Sequence, residues 1–367
     1  MSPPTYAMAG EQLIQLLAEA AVRARLDRRP VIDTADLVAV LARRRILHCR
    51  RSERRRLWAR LAWCDVPAEP ASAAAIDFEA SAALREAQWI AHVPARWCGC
   101  AHRVVRRALR EASDVRVADA HGAHLLAAIT GDHTSCGYRV LAEVGLSPRE
   151  IQPTVLAAVH RDGRVRAPAL TRLADLGALS HPPPKPGRRL LGRHALRQIG
   201  ATGPVAYAIG GEAARQAVRA DADEIGAVHV LAGICAIGFQ HRRTHWVYAP
   251  GLGDHDEAAG MLARHGLEYP EFSLAVARTD PDPGSWDRFG PWRLDPGDPG
   301  WAPSGRAVLR FAQSYVDFLG HAAVGGDHLL MGCIEVDSAA VRTAVTKAGA
   351  DYEALRTQAA RLLIASP

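Results

Sequence analysis

One short pattern recurs along this chain and limits what it can fold into. Gly325-Gly326-Asp327-His328-Leu329-Leu330-Met331-Gly332-Cys333-Ile334 has a close copy in Gly122-Ala123-His124-Leu125-Leu126-Ala127-Ala128-Ile129 and a looser one in Ala227-Val228-His229-Val230-Leu231-Ala232-Gly233-Ile234. A fourth stretch, Thr34-Ala35-Asp36-Leu37-Val38-Ala39-Val40-Leu41, carries Asp36 where the others carry histidine. Repetition on this scale means that one supersecondary unit is used several times and that each copy buries its apolar face against a neighbour.

The flanks repeat as well. His328 is followed 21 residues later by Gly349, and His124 is followed 21 residues later by Gly145. His229 reaches its glycine, Gly266, only after 37 residues, so this copy holds an insertion. Ala/Leu-rich segments at 13–25, 104–112, 212–220 and 308–319 precede the four motifs. Each unit reads as a helix, a turn, a second helix starting near the histidine, a loop, and a helix that stops at a left-handed glycine cap. The leucines beside His124, His229 and His328 give these histidines a packing role. A first-turn side chain of this kind hydrogen-bonds the backbone of a neighbouring loop, and no catalytic task is assigned to it.

This pattern resembles the Clp N-terminal repeat, the helical module at the front of Clp-family AAA+ unfoldases. The residues that carry the resemblance are Leu309, Ala312, Gly320, Gly326, His328, Leu329, Leu330, Val345 and Gly349 in the last copy. It extends over 104–159 and 212–277 and thins out over 6–66, where Asp36 replaces the histidine and Ala62 stands at the place of the cap glycine. The resemblance implies an all-α fold of two pseudo-symmetric helical bundles, each made of two such repeats. It also implies recognition of peptides, protein clients or small cyclic-peptide ligands between paired repeats, with a Clp unfoldase as a further expected partner.

A chain of 367 residues is long enough for two domains, each with its own core. Pairing the repeats gives a double repeat over 1–160, a Pro/Arg-rich linker over 161–189, and a second double repeat over 190–367. Pro182-Pro183-Pro184-Lys185-Pro186 is the stiffest part of that linker. No apolar run approaches membrane-spanning length and no signal segment opens the chain, so a cytoplasmic location is expected. Seven cysteines scattered through helical segments are expected to be reduced. The net charge of +6 is almost wholly arginine, with Lys185 and Lys347 the only lysines, a skew that fits a GC-rich coding sequence.

Four departures from the repeat are candidates for chemistry. Arginines are dense over 43–60, interleaved with Ile46, Leu47, Leu57, Trp58 and Leu61; this is either a solvated helix face or a phosphate-binding surface, and no nucleic-acid reading motif accompanies it. Trp97-Cys98-Gly99-Cys100-Ala101-His102 offers two thiols and an imidazole, either as a soft-metal site lacking a fourth ligand or as a turn with buried thiols.

The insertion at 240–257 places His241 and His245 at helical spacing, with Asp254, His255 and Asp256 following. His241, His245 and His255 are therefore candidate ligands for a divalent metal, the one cofactor considered, and the competing reading is a ligand-binding loop using Trp246 and Tyr248. The second insertion, 279–304, holds Trp286, Phe289, Trp292 and Trp301, aromatics that either cover core edges or line a groove for an apolar or peptidic ligand.

No Gly-x-x-x-x-Gly-Lys-Ser/Thr loop occurs, so ATPase activity of the P-loop kind is not expected. Neither the Gly-x-Ser-x-Gly elbow nor the His-Glu-x-x-His helix is present. The expected function is that of a stand-alone binding protein, an adaptor or a sequestering protein for a peptide or cyclic peptide. The alternative is a divergent enzyme that uses the 240–257 and 279–304 insertions, and the weaker alternative is nucleic-acid binding through 43–60.

Overall fold

A computed structural model describes residues 7–61, 78–159, 166–181, 202–252, 256–280 and 297–365. It is mostly helical with little strand, as the all-α expectation requires. The chain divides into two compact units, Met1–Arg166 and Ala167–Pro367. The Pro-rich stretch 182–186 lies outside the described residues.

The first unit runs β1 (Met8–Ala9), α1 (Glu11–Leu26), β2 (Val31–Ile32), α2 (Thr34–Arg43), α3 (Arg51–Leu61), α4 (Phe78–Ala91), β3 (Arg96–Trp97), α5 (Gly99–Asp114), β4 (Asp119–Ala120), α6 (Gly122–Gly131), α7 (Cys136–Glu143) and α8 (Pro148–Val159). Its strands are two residues long, and they pair in parallel across the unit, β1 with β4 and β2 with β3. Helices α2 and α6 are buried on every side, from Thr34 to Ala42 and from Gly122 to Thr130. An all-round apolar helix belongs in the middle of a fold, and the other helices wrap it with one apolar face each.

The second unit runs α9 (Pro168–Asp175), β5 (Leu179–His181), α10 (Pro204–Ala220), β6 (Glu224–Ile225), α11 (Ala227–Thr244), β7 (Val247–Tyr248), α12 (Ala258–Arg264), α13 (Glu271–Ala277), β8 (Gly300–Trp301), α14 (Pro303–Leu319), α15 (Gly326–Val336), α16 (Ala339–Lys347) and α17 (Tyr352–Ala365). Here β6 pairs in parallel with β8, and β5 pairs antiparallel with β7. The motif-bearing helices are again the buried ones, Ala227 to Ile237 of α11 and Gly326 to Ile334 of α15.

The start of a buried helix leaves N–H groups that water cannot reach, and the repeated motif solves this in the same way four times. The Nδ1 atoms of His124, His229 and His328 accept from the backbone N–H three residues earlier, at His121 (3.2 Å), Gly226 (3.0 Å) and Gly325 (3.0 Å). In the fourth copy Asp36 does the same with a carboxylate oxygen, 3.1 Å from the Asp33 nitrogen. The acceptor thus closes the turn of its own helix rather than reaching to another loop, and Asp36 is a chemical equivalent of the histidines, not a lost feature. Asp33 completes the box by accepting from Ala35 N–H (2.6 Å) and Asp36 N–H (3.2 Å).

Close helix packing fixes two glycines one turn further on. A methyl group at Gly332 would sit 2.5 Å from the Val308 carbonyl oxygen, and one at Gly233 would sit 3.0 Å from that of Ile209. The expected glycine caps are present too, with Gly145, Gly266 and Gly349 at φ +80°, +79° and +82°. Ala62, placed at the fourth cap, lies outside the described residues.

The segment 167–181, expected within a linker, is part of the second unit. The Gln240 side chain accepts from the Ala169 N–H at 3.0 Å and donates to Glu212 at 3.2 Å. Glu212 also takes a bond from Gln216 at 2.8 Å and pairs with Arg215, all of it buried, so α9 is held by a hydrogen-bonded polar core that hydropathy reading does not detect.

Replacing His328 with alanine removes the cap on a buried motif helix and is expected to cost about 1–3 kcal/mol, read as a lower urea midpoint. His328→Asn retains an acceptor and is expected to recover a substantial part of that loss.

Candidate functional site

One opening among the described residues is in the first unit, and two loops build it. After α2, Arg45 takes a left-handed conformation at φ +59°, and the N–H groups of Ile46 and Leu47 both return to the Leu41 carbonyl at 3.0 and 3.1 Å. Leu47 is fully buried and pins this loop, which then enters α3 with Glu53 accepting from the Arg50 N–H at 2.6 Å. After α7, Gly145 turns the chain toward Leu146, Ser147 and the first turn of α8.

Between these loops lies a cleft of about 460 Å³, within the range of ligand pockets. Leu47, Leu126, Leu146 and Val155 make an apolar floor, and Arg45, His48, Arg50 and Arg54 stand around it with Glu53 and Glu150. Among the described residues no carboxylate forms an ion pair with Arg45, Arg50 or Arg54, and the Arg54 Nε–H is buried without an acceptor. That Nε–H is closed off from solvent, so an anion in the cleft meets Arg54 only where the rest of the side chain lines the opening.

A second, more apolar groove of about 320 Å³ runs beside α1, bounded by Val22, Leu26, Val40, Trp58 and Ile90. Val22, Leu26 and Ile90 are 40%, 76% and 43% exposed, so three large aliphatic side chains face solvent together. Arg23 lies over the Trp58 ring, 5.2 Å from its centre, and gives the groove a charged edge.

The insertion at 240–257 is organised differently from the expectation. Helix α11 ends at Thr244, and His245 is its left-handed cap at φ +55°, exposed, so His241 and His245 do not share a helix face. His241 instead bonds the Trp246 carbonyl oxygen through Nδ1 at 3.0 Å and lies 4.5 Å from the Tyr248 ring. Trp246 is half-buried, and the adjoining β7 is tied to β5. No group of three or more His, Cys, Asp or Glu side chains is placed to hold a metal ion among the described residues. His255, Trp286, Phe289 and Trp292 lie outside the described residues.

Trp301, a candidate for ligand contact, is only 4% exposed. It sits in β8 opposite Ile225, as Trp97 sits in β3 opposite Ile32. Both indoles belong to the cores, because parallel pairing turns one side chain of each short strand inward.

Sequence reasoning missed a group of buried acids where the insertion meets the last motif. Tyr248 donates its hydroxyl proton to Asp256, and a methyl at Gly326 would overlap the Asp256 carboxylate. Asp327, the residue before the capping histidine, accepts from the Ala258 N–H at 2.6 Å and so starts α12. Burial raises the Asp256 carboxyl to about 7, Tyr248 opposing and Asp327 adding to the rise; burial likewise raises Asp327 to about 6. The sequence shows Tyr248 and Asp256 in the insertion and Asp327 in the motif, but nothing in it brings the three together.

The thiols also come together. Cys98 caps α5 by accepting from the Ala101 N–H, its sulfur 2.7 Å from that of Cys100, and the Thr34 hydroxyl lies 3.7 Å from Cys100. Hydrogen bonds from Cys136 and Cys98 push the Cys100 thiol down and, in return, their own thiols are pushed up. None of the described cysteines is in a disulfide. His102, on the same helix, is held below its ordinary pKa by burial and by Arg85.

No protein-family model matches the chain, and no curated protein matches it. No helix among the described residues is long and apolar enough to cross a membrane.

A carboxyl whose pKa is higher in the fold than in the unfolded chain stabilises the fold while protonated. The contribution of Asp256 is therefore complete below about pH 4 and is lost as pH rises through about 7. Asp256→Asn is expected to raise the melting temperature at about pH 8 and to leave it nearly unchanged at about pH 4, measured by calorimetry.

Proposed function

We propose that this chain is a stand-alone binding protein, built from two Clp-N-like double repeats, that holds peptide ligands in the cleft between the α2–α3 and α7–α8 loops. In this reading the first double repeat is α1–α4 with α5–α8 and the second is α10–α13 with α14–α17, each pair forming a pseudo-symmetric bundle. The four equivalent caps support it. So does the exchange of strands, in which the strand before α1 pairs with the strand before α6 and the strand before α2 pairs with the strand before α5. Trp97 stands 27 residues before His124, and Trp301 stands 27 residues before His328, which supports one register for the two closest copies.

The observation that carries the functional reading is the cleft itself. It lies between the α2–α3 and α7–α8 loops, has an apolar floor, and is edged by arginines that form no ion pair with a carboxylate of the described residues. Such a surface matches a flexible chain with alternating apolar and acidic groups better than it matches a reacting small molecule. The exposed aliphatic groove beside Trp58 offers a second foothold for an extended or cyclic peptide. Adaptor and sequestering roles both follow from binding alone, and nothing in the reading calls for a bound nucleotide.

A divergent enzyme is the second reading, and the Tyr248–Asp256–Asp327 group favours it, since two carboxyls titrating near neutrality are suited to proton transfer. It requires that purified protein carry a metal or turn over a substrate, with Asp256→Asn abolishing the turnover. Phosphate binding by the exposed Arg51, Arg55 and Arg56 face of α3 is a weaker reading, and it demands affinity for nucleic acid that falls steeply with added salt.

Isothermal titration against linear peptides and apolar cyclic peptides is expected to give dissociation constants of roughly 1–100 µM for at least one class. Ile151→Glu, at the half-buried edge of the floor, is expected to weaken that binding at least about tenfold without lowering the melting temperature by more than a few degrees. An absence of heat with both classes at high micromolar concentration removes the proposal.

A further inference from the structure

The cleft in the first unit has a composition that narrows its ligand. Among the described residues that line it, three arginines, Arg45, Arg50 and Arg54, outnumber two acids, Glu53 and Glu150. That excess favours an anion. The first turns of α3 and α8 both line the cleft, and each already carries an acid of its own, Glu53 and Glu150. Glu53 is committed to the Arg50 backbone N–H, so it does not satisfy the buried Arg54 Nε–H.

The floor adds a second requirement. Leu47, Leu126, Leu146 and Val155 are all buried, and Ile46 and Ile151 continue the apolar surface toward the opening. The anion must therefore sit beside an apolar group rather than on a polar scaffold. The cleft is partly open to solvent, which suits a chain that continues outward. A fatty-acid tail in the same place leaves methylenes in water, at about 0.8 kcal/mol for each CH₂ that stays unburied.

We infer that the cleft captures the C-terminal carboxylate of a peptide whose last residues are apolar, with the Arg54 guanidinium as the central contact and the leucine floor holding the terminal side chain. The inference rests on the reading of this unit as a peptide-binding module and specifies which end of the peptide it reads. A guanidinium binds a carboxylate through two parallel N–H···O bonds, and a terminal amide offers one neutral acceptor in its place. Arg45 and Arg50, both exposed, add attraction at the mouth more than contact at the floor.

The experiment uses the full chain and an array of decapeptides varied in their last two residues, each made both as the free acid and as the C-terminal amide. Binding is read by fluorescence anisotropy, with dodecanoate as a competitor. The expected result is that acids ending in Leu, Ile, Val or Ala bind at least tenfold more tightly than their amides. Arg54→Met is expected to erase that preference, and Arg54→Lys to restore part of it, with the melting temperatures of both variants near that of the parent protein. Equal binding of acids and amides overturns the carboxylate inference while leaving the peptide reading intact. Absence of binding by every peptide overturns both. Displacement of all peptides by low-micromolar dodecanoate, together with tighter binding of the fatty acid, shows that the source of the carboxylate is lipid and overturns the inference.

Discussion

The fold depends on one hydrogen bond made four times. A helix placed in the middle of a bundle begins with N–H groups that solvent cannot reach, and each one left unmet costs more than a typical hydrogen bond gains. His124, His229, His328 and Asp36 meet that demand from the third position of their own helices. Because the Nδ1 of each histidine accepts, the ring proton resides on Nε2, and at His328 this proton points to His321, whose Nδ1 is 2.8 Å away. One side chain therefore closes a helix and ties it to the chain before it.

Once the motif helices are buried, their neighbours have little freedom. Gly332 and Gly233 let α14 and α10 cross them at backbone distance, and the short strands around Ile32, Trp97, Ile225 and Trp301 lock the ends of helices that are far apart in sequence. Buried polar groups are costly unless bonded, and the polar core of the second unit meets that demand. The Glu212, Gln216, Gln240 and Ser273 network satisfies its members from four directions, with α9 docked through one of its bonds. The paired thiols of Cys98 and Cys100 at the start of α5 follow the same rule, since helix N–H and hydroxyl donors surround them.

The cleft is a by-product of this architecture. Loops that leave the buried helices must travel outward, and between two of them the surface cannot close. Its apolar floor is the outer side of the core, reached by Leu126 and Val155, while its edge comes from an arginine-dense turn in which Arg45, Arg50 and Arg54 form no ion pair among the described residues. The buried acids Asp256 and Asp327 arise from the opposite situation. There the insertion folds back on the motif so closely that only a glycine fits at 326, and the carboxyls lose water before they gain donors.

Much of the architecture was legible in the sequence because it rests on local rules. Period, helix start, buried leucines and glycine caps are all written within about a dozen residues, so the four motifs, their helices and the turns at Gly145, Gly266 and Gly349 follow from reading alone. Even Asp36 obeys the local rule, since a carboxylate and an imidazole offer an acceptor at the same reach. The site was not legible in that way. Arg45, Arg50 and Arg54 are visible as a basic run, but Leu126, Leu146 and Val155 lie some seventy or more residues away in sequence, and nothing local says that they share a wall. The same holds for Trp301, which looks like a surface aromatic until β8 pairs with β6, and for His245, whose helix ends one residue too early to align it with His241. What a helix does is decided by its own side chains and backbone; what a surface can bind is decided by which distant side chains the packing brings together, and only the tertiary structure settles that.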